Sequence, residues 1–143
     1  LTPWRFLCIR GASLDKLGDL FVSAAIGADP ALSEAKLASI RLKPHRAPLI
    51  IVVVAKHQDH PKVPAIEMDW SAAAAMQNML LAAHAEDLGG MWRTGSMAYS
   101  KAVKKGLGLA DNENITGFLY LGSRSIPPRK LNRLLLTDYF VYW

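Results

Sequence analysis

The seven residues GGMWRTG, 89 to 95, hold the side chains of this 143-residue chain best suited to chemistry. Arg93 supplies a rigid planar fork of donors that suits phosphate or a polarised carbonyl, and Trp92 supplies a flat apolar wall. Gly89, Gly90 and Gly95 leave a backbone that a ligand can approach closely. Together these meet the needs of a flavin nucleotide. A plainer alternative exists for the same residues. Gly89 in the left-handed conformation would close a helix, Gly90 would let the chain turn, and an edge strand would follow on which Trp92 packs and Arg93 is exposed.

Other candidate chemistries are weaker. His57 and His60 flank Asp59 in HQDH, with His45 upstream. Pro61 and the surrounding polar composition place them on a loop, where three-residue histidine spacing loses its helical geometry, so no metal site is assigned. Cys8 and the serines sit in no nucleophile elbow and no histidine-paired context, and no catalytic side chain is assigned to them. Lys101, Lys104 and Lys105 read as the solvated face of a short helix.

The elements that must position GGMWRTG follow from pattern. Trp4, Phe6 and Cys8 alternate with Arg5, Leu7 and Ile9, as in a half-buried strand, and Cys8 is expected to be a buried thiol. Ser13 and Asp15 open a helix to about Ala28; Pro30 restarts a second, which Pro44 ends. LIIVVVA, 49 to 55, is continuously apolar and β-branched, which predicts a central strand buried on both faces. From about Glu67 to Leu88 a long alanine-rich helix has little polar face and should be buried almost all round. A short helix near Tyr99 to Gly106 precedes a buried strand over 116 to 122. This order of elements predicts an α+β fold with a small mixed β-sheet flanked by helices, and lacks the regular alternation of a doubly wound sheet.

With 51% hydrophobic residues, one cysteine and a net charge of +5 spread along the sequence, the chain reads as a single domain in a reducing compartment. A cytoplasmic protein without membrane or nucleic-acid partners is expected. The basic balance leaves a nucleic-acid-binding domain as the remote rival. Arg124, Arg129, Lys130 and Arg133 give only a mild cluster.

Six motifs in sequence order resemble the FMN-dependent nitroreductase family, in its small NAD(P)H-nitroreductase type. They are PWRF at 3 to 6, RAPLIIVVVAK at 46 to 56, KVP at 62 to 64, GGMWRTG at 89 to 95, GFLYLG at 117 to 122 and FVYW at 140 to 143. The resemblance implies a nitroreductase-like fold and a homodimer whose two FMN sites lie at the subunit interface. It implies flavin contacts from Trp92, Arg93 and Thr94, and nicotinamide-nucleotide contacts from Ala82, Ala83, His84, Ala85, Glu86 and Asp87. It implies ping-pong hydride transfer from NAD(P)H through FMN to a small-molecule acceptor such as a nitroaromatic or quinone. The family's Arg-Arg-Ser helix and Ala-Pro-Asp-His loop, which also touch flavin, would precede Leu1. A non-catalytic flavin- or nucleotide-binding relative is the alternative within the same fold.

The tail completes the expectation. Pro127 and Pro128 cannot continue a strand, and the apolar residues from Leu134 to Trp143 are too many to dangle. The segment from about Pro127 is expected to leave its own subunit as an arm exchanged in the homodimer, laying its last strand on the partner's sheet around the long central helix.

Overall fold

The computed structural model describes residues 1–127 and 134–143. Its frame is a four-stranded sheet with helices on both sides. In chain order come β1 (Trp4–Arg10), α1 (Ala12–Ala28), α2 (Glu34–Arg41), a 3-10 turn (Lys43–Arg46) and β2 (Leu49–Lys56). There follow α3 (Ala65–Ala85), β3 (Leu88–Arg93), α4 (Gly95–Tyr99), α5 (Lys101–Gly106) and β4 (Glu113–Ser123). The strand order is β1-β2-β4-β3. All three pairings are antiparallel, so the sheet expected to be mixed is not. Antiparallel neighbours do not have to be joined by short hairpins, and a helix-containing excursion such as α1 with α2 links β1 to β2 equally well.

β2 is central, as its unbroken apolar run requires. Ile50, Val52 and Val54 face a layer formed by α1 with Phe21, while Val53 and Ala55 face α3. A bulge at Thr116 sets the partner strand. Val53 pairs with Gly117 and Val54 with Ile115, leaving Thr116 unpaired. The extra residue shifts the alternation, so that Ile115 and Phe118, three apart, both face the α1 layer. On the other face Gly117 has no room for a side chain, because a Cβ there would meet the Trp92 indole.

Two expectations about burial change. Cys8 is exposed rather than buried. It shares its face of β1 with Phe6, which packs toward α3, but it lies on an edge strand that the helix does not cover. α3 is buried on one stripe only, through Met68, Ala72, Met76 and Ala83. Ile66, Trp70 and Leu81 stand 51%, 61% and 59% exposed, so an apolar face remains uncovered by this chain. Composition reported the lack of a polar face; it carried no information on which molecule covers it. No helix among the described residues is long and apolar enough to cross a membrane.

Glu113 closes the lower end of the sheet. Its buried carboxylate accepts from Arg5 Nε at 2.9 Å, from Arg5 Nη2 at 2.6 Å and from the Ala110 N–H at 3.0 Å. The Arg5 hydrogen bonds hold the Glu113 carboxyl below the usual carboxylate range against the opposing effect of burial. A depressed folded value gives stability that is present above the unfolded glutamate pKa of about 4.3 and disappears as pH falls through the folded value. Denaturation midpoints between neutral and acid pH should therefore fall less steeply for Glu113→Gln than for the natural chain; equal slopes would mean that the pair contributes nothing to acid sensitivity.

Candidate functional site

Gly89 to Arg93 of GGMWRTG lie in β3, at the edge of the sheet, with Thr94 after it and Gly95 opening α4, and the local reasons for the glycines are mechanical. α3 ends with Glu86 as its C-cap, and the left-handed position next in line is taken by Asp87, with φ 59°. Gly89 and Gly90 are therefore strand residues, not the helix terminator that the sequence suggested. A Cβ at Gly90 would come within 2.6 Å of Leu80 Cδ2, so its hydrogen lets α3 close onto the strand. Gly95, at φ 64°, turns the chain into α4.

Adjacent strand residues point to opposite faces. Trp92 lies on the α3 side, half-buried against the layer of Met76 and Leu119. Arg93 lies on the α1 side, its guanidinium carbon 6.0 Å from the centroid of the Tyr120 ring. The wall and the cation that the sequence set side by side are thus separated by the sheet. Trp92 is occupied as a core residue over Gly117, and Arg93 alone is presented to a cavity.

Two clefts meet at Arg93 on the α1 side. One, of about 340 Å³, runs along β3 past Gly89, Gly90 and Met91, with Arg124 beyond. The other, of about 370 Å³, is floored by Phe21, Phe118 and Tyr120 and includes Thr94. Both are bounded by Arg46, Arg93 and Tyr120, while Lys43 lines the second. Burial pushes the Tyr120 hydroxyl pKa up, and the nearby Arg93 and Arg46 oppose that shift. Burial also pulls the Lys43 ammonium down, reinforced by Lys36, Arg46 and Arg93. The lining carries four cations and no carboxylate.

Ala82, Ala83, His84 and Ala85 form the last turn of α3, with Glu86 and Asp87 directly after it. Ala83 is buried against the sheet and the other five are exposed. Asp87 binds Arg124 Nη2 through Oδ1 at 2.5 Å. These six residues line neither cleft. They precede β3 while Thr94 follows it, a separation of roughly 20 Å at 3.3 to 3.4 Å per strand residue. The histidines are dispersed: His45 is 3.0 Å from Asp15, His57 is 3.0 Å from Asp69, and His60 Nδ1 accepts from the Lys62 N–H at 3.2 Å.

Lys43, Arg46 and Tyr120 are cleft residues that sequence reasoning did not single out as a site. The available signal was KPHR, three basic residues around a proline between a helix and the central strand. Charge scattered along a sequence becomes a site only when the fold gathers it.

Comparison with known proteins gives these clefts a context. Residues 1–123 match the Nitroreductase family. Over 126 residues the chain is 39% identical to the Escherichia coli (strain K12) protein named "Putative NAD(P)H nitroreductase YdjA", covering 86% of this chain and 66% of that protein. This chain thus spans just under two thirds of that relative's length. The crystal structure of a nitroreductase-like family protein from Bacillus cereus superposes with a TM-score of 0.77 at 25% identity, over 98% of this chain and 73% of the other. The crystal structure of "a putative nitroreductase in complex with fmn" from Desulfovibrio desulfuricans gives a TM-score of 0.70 at 23% identity over 98% of this chain and 72% of its own. Because the match runs unbroken from β1 to the end of β4, taking in the turn of Lys43 and Arg46 as well as the strand of Trp92 and Arg93, the chain belongs to the nitroreductase family.

Proposed function

We propose that the protein is an FMN-dependent NAD(P)H oxidoreductase of nitroreductase type, working as a homodimer with each flavin site shared between subunits. The observation that carries this reading is the Arg93 guanidinium standing over Tyr120 where two clefts meet. It has no carboxylate partner among the described residues. The family match, the name of the E. coli relative and the FMN in the D. desulfuricans structure support it.

The residues present suit such a group. Unpaired cations meet its phosphate or the charge that its ring gains on reduction, and the Phe21, Phe118 and Tyr120 floor offers apolar surface beside them. Bound FMN would supply the redox chemistry, taking a hydride from NAD(P)H in one half-reaction and giving electrons to a nitroaromatic or quinone acceptor in the other. The chain's own task is to bind, orient and fix charge, so no acid-base pair is required of it. Arg93 and Thr94 are assigned to the flavin. Trp92 is assigned to the same segment in a supporting capacity, bracing β3 from the α3 side. The last turn of α3 with the two residues after it, Ala82 to Asp87, is assigned to the nicotinamide nucleotide.

Arg93→Ala tests the assignment directly. Its side chain is exposed, so the fold should survive, while the loss of a charge-assisted hydrogen bond of about 1.5 to 3 kcal/mol should weaken FMN binding roughly 10- to 150-fold. Flavin fluorescence titration reads the change. Undiminished FMN affinity together with undiminished NAD(P)H oxidation would remove Arg93 from the site.

A further inference from the structure

We infer that a third cavity, of about 360 Å³ between the C-terminal end of α1, α2 and α4, is a binding site for an aliphatic monocarboxylate. The site stands whether or not the flavin reading holds. Its origin lies in the side chains of α1. Leu14, Leu17 and Phe21 fill the inner face of that helix, and all three are buried. Further along the same face, at i+3, i+4 and i+7 from Phe21, come Ala24, Ala25 and Ala28. Their methyl groups reach less far, and the space left is the cavity. Ile40 of α2, with the half-buried Leu32 and Met97, completes its apolar walls.

Charge is set around this apolar centre. The spacing i, i+4 puts Lys36 beside Ile40 on α2, and the C-cap Leu42 keeps helical geometry at φ −79° and ψ −8°, so Lys43 follows about one turn on. Both lysines line the cavity, and neither has a carboxylate partner among the described residues. Asp29 is the single acid in the lining, and its Oδ1 is engaged locally by the Ala31 N–H at 3.0 Å. Two lysines less one aspartate leave one positive charge. Burial first, and then the Lys36 charge, pull the Lys43 ammonium down, and an anion held between the two lysines offsets that repulsion.

The ligand's chemistry follows from this count. The C-terminus of α1 brings partial negative charge to the same wall, so a single anionic charge suits the site better than two. An ammonium is a point charge with three donors, which a carboxylate oxygen satisfies without the planar fork of an arginine. Ser96, at the entrance, adds a hydroxyl donor. No aromatic ring lines the cavity, in contrast to the second cleft. Alanine methyls, Ile40 and the flexible Met97 thioether instead conform to an alkyl chain.

Calorimetric titration of the purified protein with butyrate, hexanoate and octanoate tests the site, with octanol and benzoate as comparisons. Affinity should rise about fourfold for each methylene buried. Octanol should bind roughly 10-fold more weakly than octanoate, and Lys36→Gln should remove that difference. Ala28→Leu, which extends a side chain into the cavity, should weaken octanoate at least as much; circular dichroism confirms that both variants fold. Methionine-methyl NMR locates the ligand: the Met97 signal should move, while Met68 and Met76, buried under α3, stay in place. Flavin content should be unchanged. A shift at Met91, which lines the first cleft, in place of Met97 would overturn the proposal, as would release of flavin by octanoate. So would affinities indifferent to chain length or to both substitutions, octanol binding as tightly as octanoate, or benzoate binding more tightly than hexanoate.

Discussion

A chain that ends at Ser125 should run as a monomer in light scattering and retain little FMN. Leu134 and Leu135 are 67% and 70% exposed, Tyr139 and Phe140 64% and 68%, and Val141, Tyr142 and Trp143 at least 92%. The segment 134–143 contains a 3-10 turn at Leu136–Asp138 and no strand, so the terminal strand expected of FVYW is not formed within this chain. Residues 128 to 133, where the arm would leave the body, lie outside the described residues. Apolar surface on this scale marks a contact, and a second subunit is the partner expected to cover it. The uncovered face of α3, with Ile66, Trp70 and Leu81, offers a centre for that association. Removing the arm strips one side of the interface and, if each flavin site is shared, the flavin with it. A stable dimer of the shortened chain with full flavin content would show that the tail has another role.

Phe118→Ala should cost about 3 to 5 kcal/mol, the largest loss expected from any single substitution discussed above. Phe118 is 2% exposed on β4 between Val52 and Arg93. Its ring meets Phe21 of α1 edge-on, with centroids 5.4 Å apart and planes at 84°. It therefore joins sheet to helix at the point that floors the second cleft. Against a usual total of 5 to 15 kcal/mol, such a loss consumes a large share of the stability. Urea unfolding gives the measurement. A cycle with Phe21→Ala should be strongly non-additive, since the two deletions open one shared cavity. A cost under about 1 kcal/mol, outside the usual range for a buried phenylalanine, would contradict the packing described.

Legibility from sequence varied with the physics involved. Leu49 to Ala55 announced its own position, because only a strand covered on both faces can be apolar at every residue. The helix after Pro64 was legible in type, but its end was not. Asp87, not Gly89, adopts the left-handed conformation, helped by a side-chain partner in Arg124 that lies 37 residues away. The bulge at Thr116 had no local mark beyond the glycine that follows it, so the face of Ile115 could not be read. The site was half legible. Arg93 and Trp92 read in the sequence as neighbours on one ligand, whereas the structure sets Arg93 at a cleft and Trp92 on the opposite face of β3, as period-two alternation requires once the segment is a strand. Lys43 and Arg46 are 47 and more residues from Arg93 in sequence, and only the folded chain brings the turn before β2 to the clefts that Arg93 lines.

The opposed placement of Trp92 and Arg93 also bears on how β3 finds its partner during folding. Sliding β3 by one residue along β4 would drive a guanidinium into the layer of Met76 and Leu119 and turn the indole out toward Arg46. An unpaired charge in an apolar layer is among the costliest errors that a chain can make. Two neighbouring side chains of opposite character thus act as a proofreading mark at the open edge of the sheet, rejecting the off-by-one alignment that an all-apolar strand would tolerate.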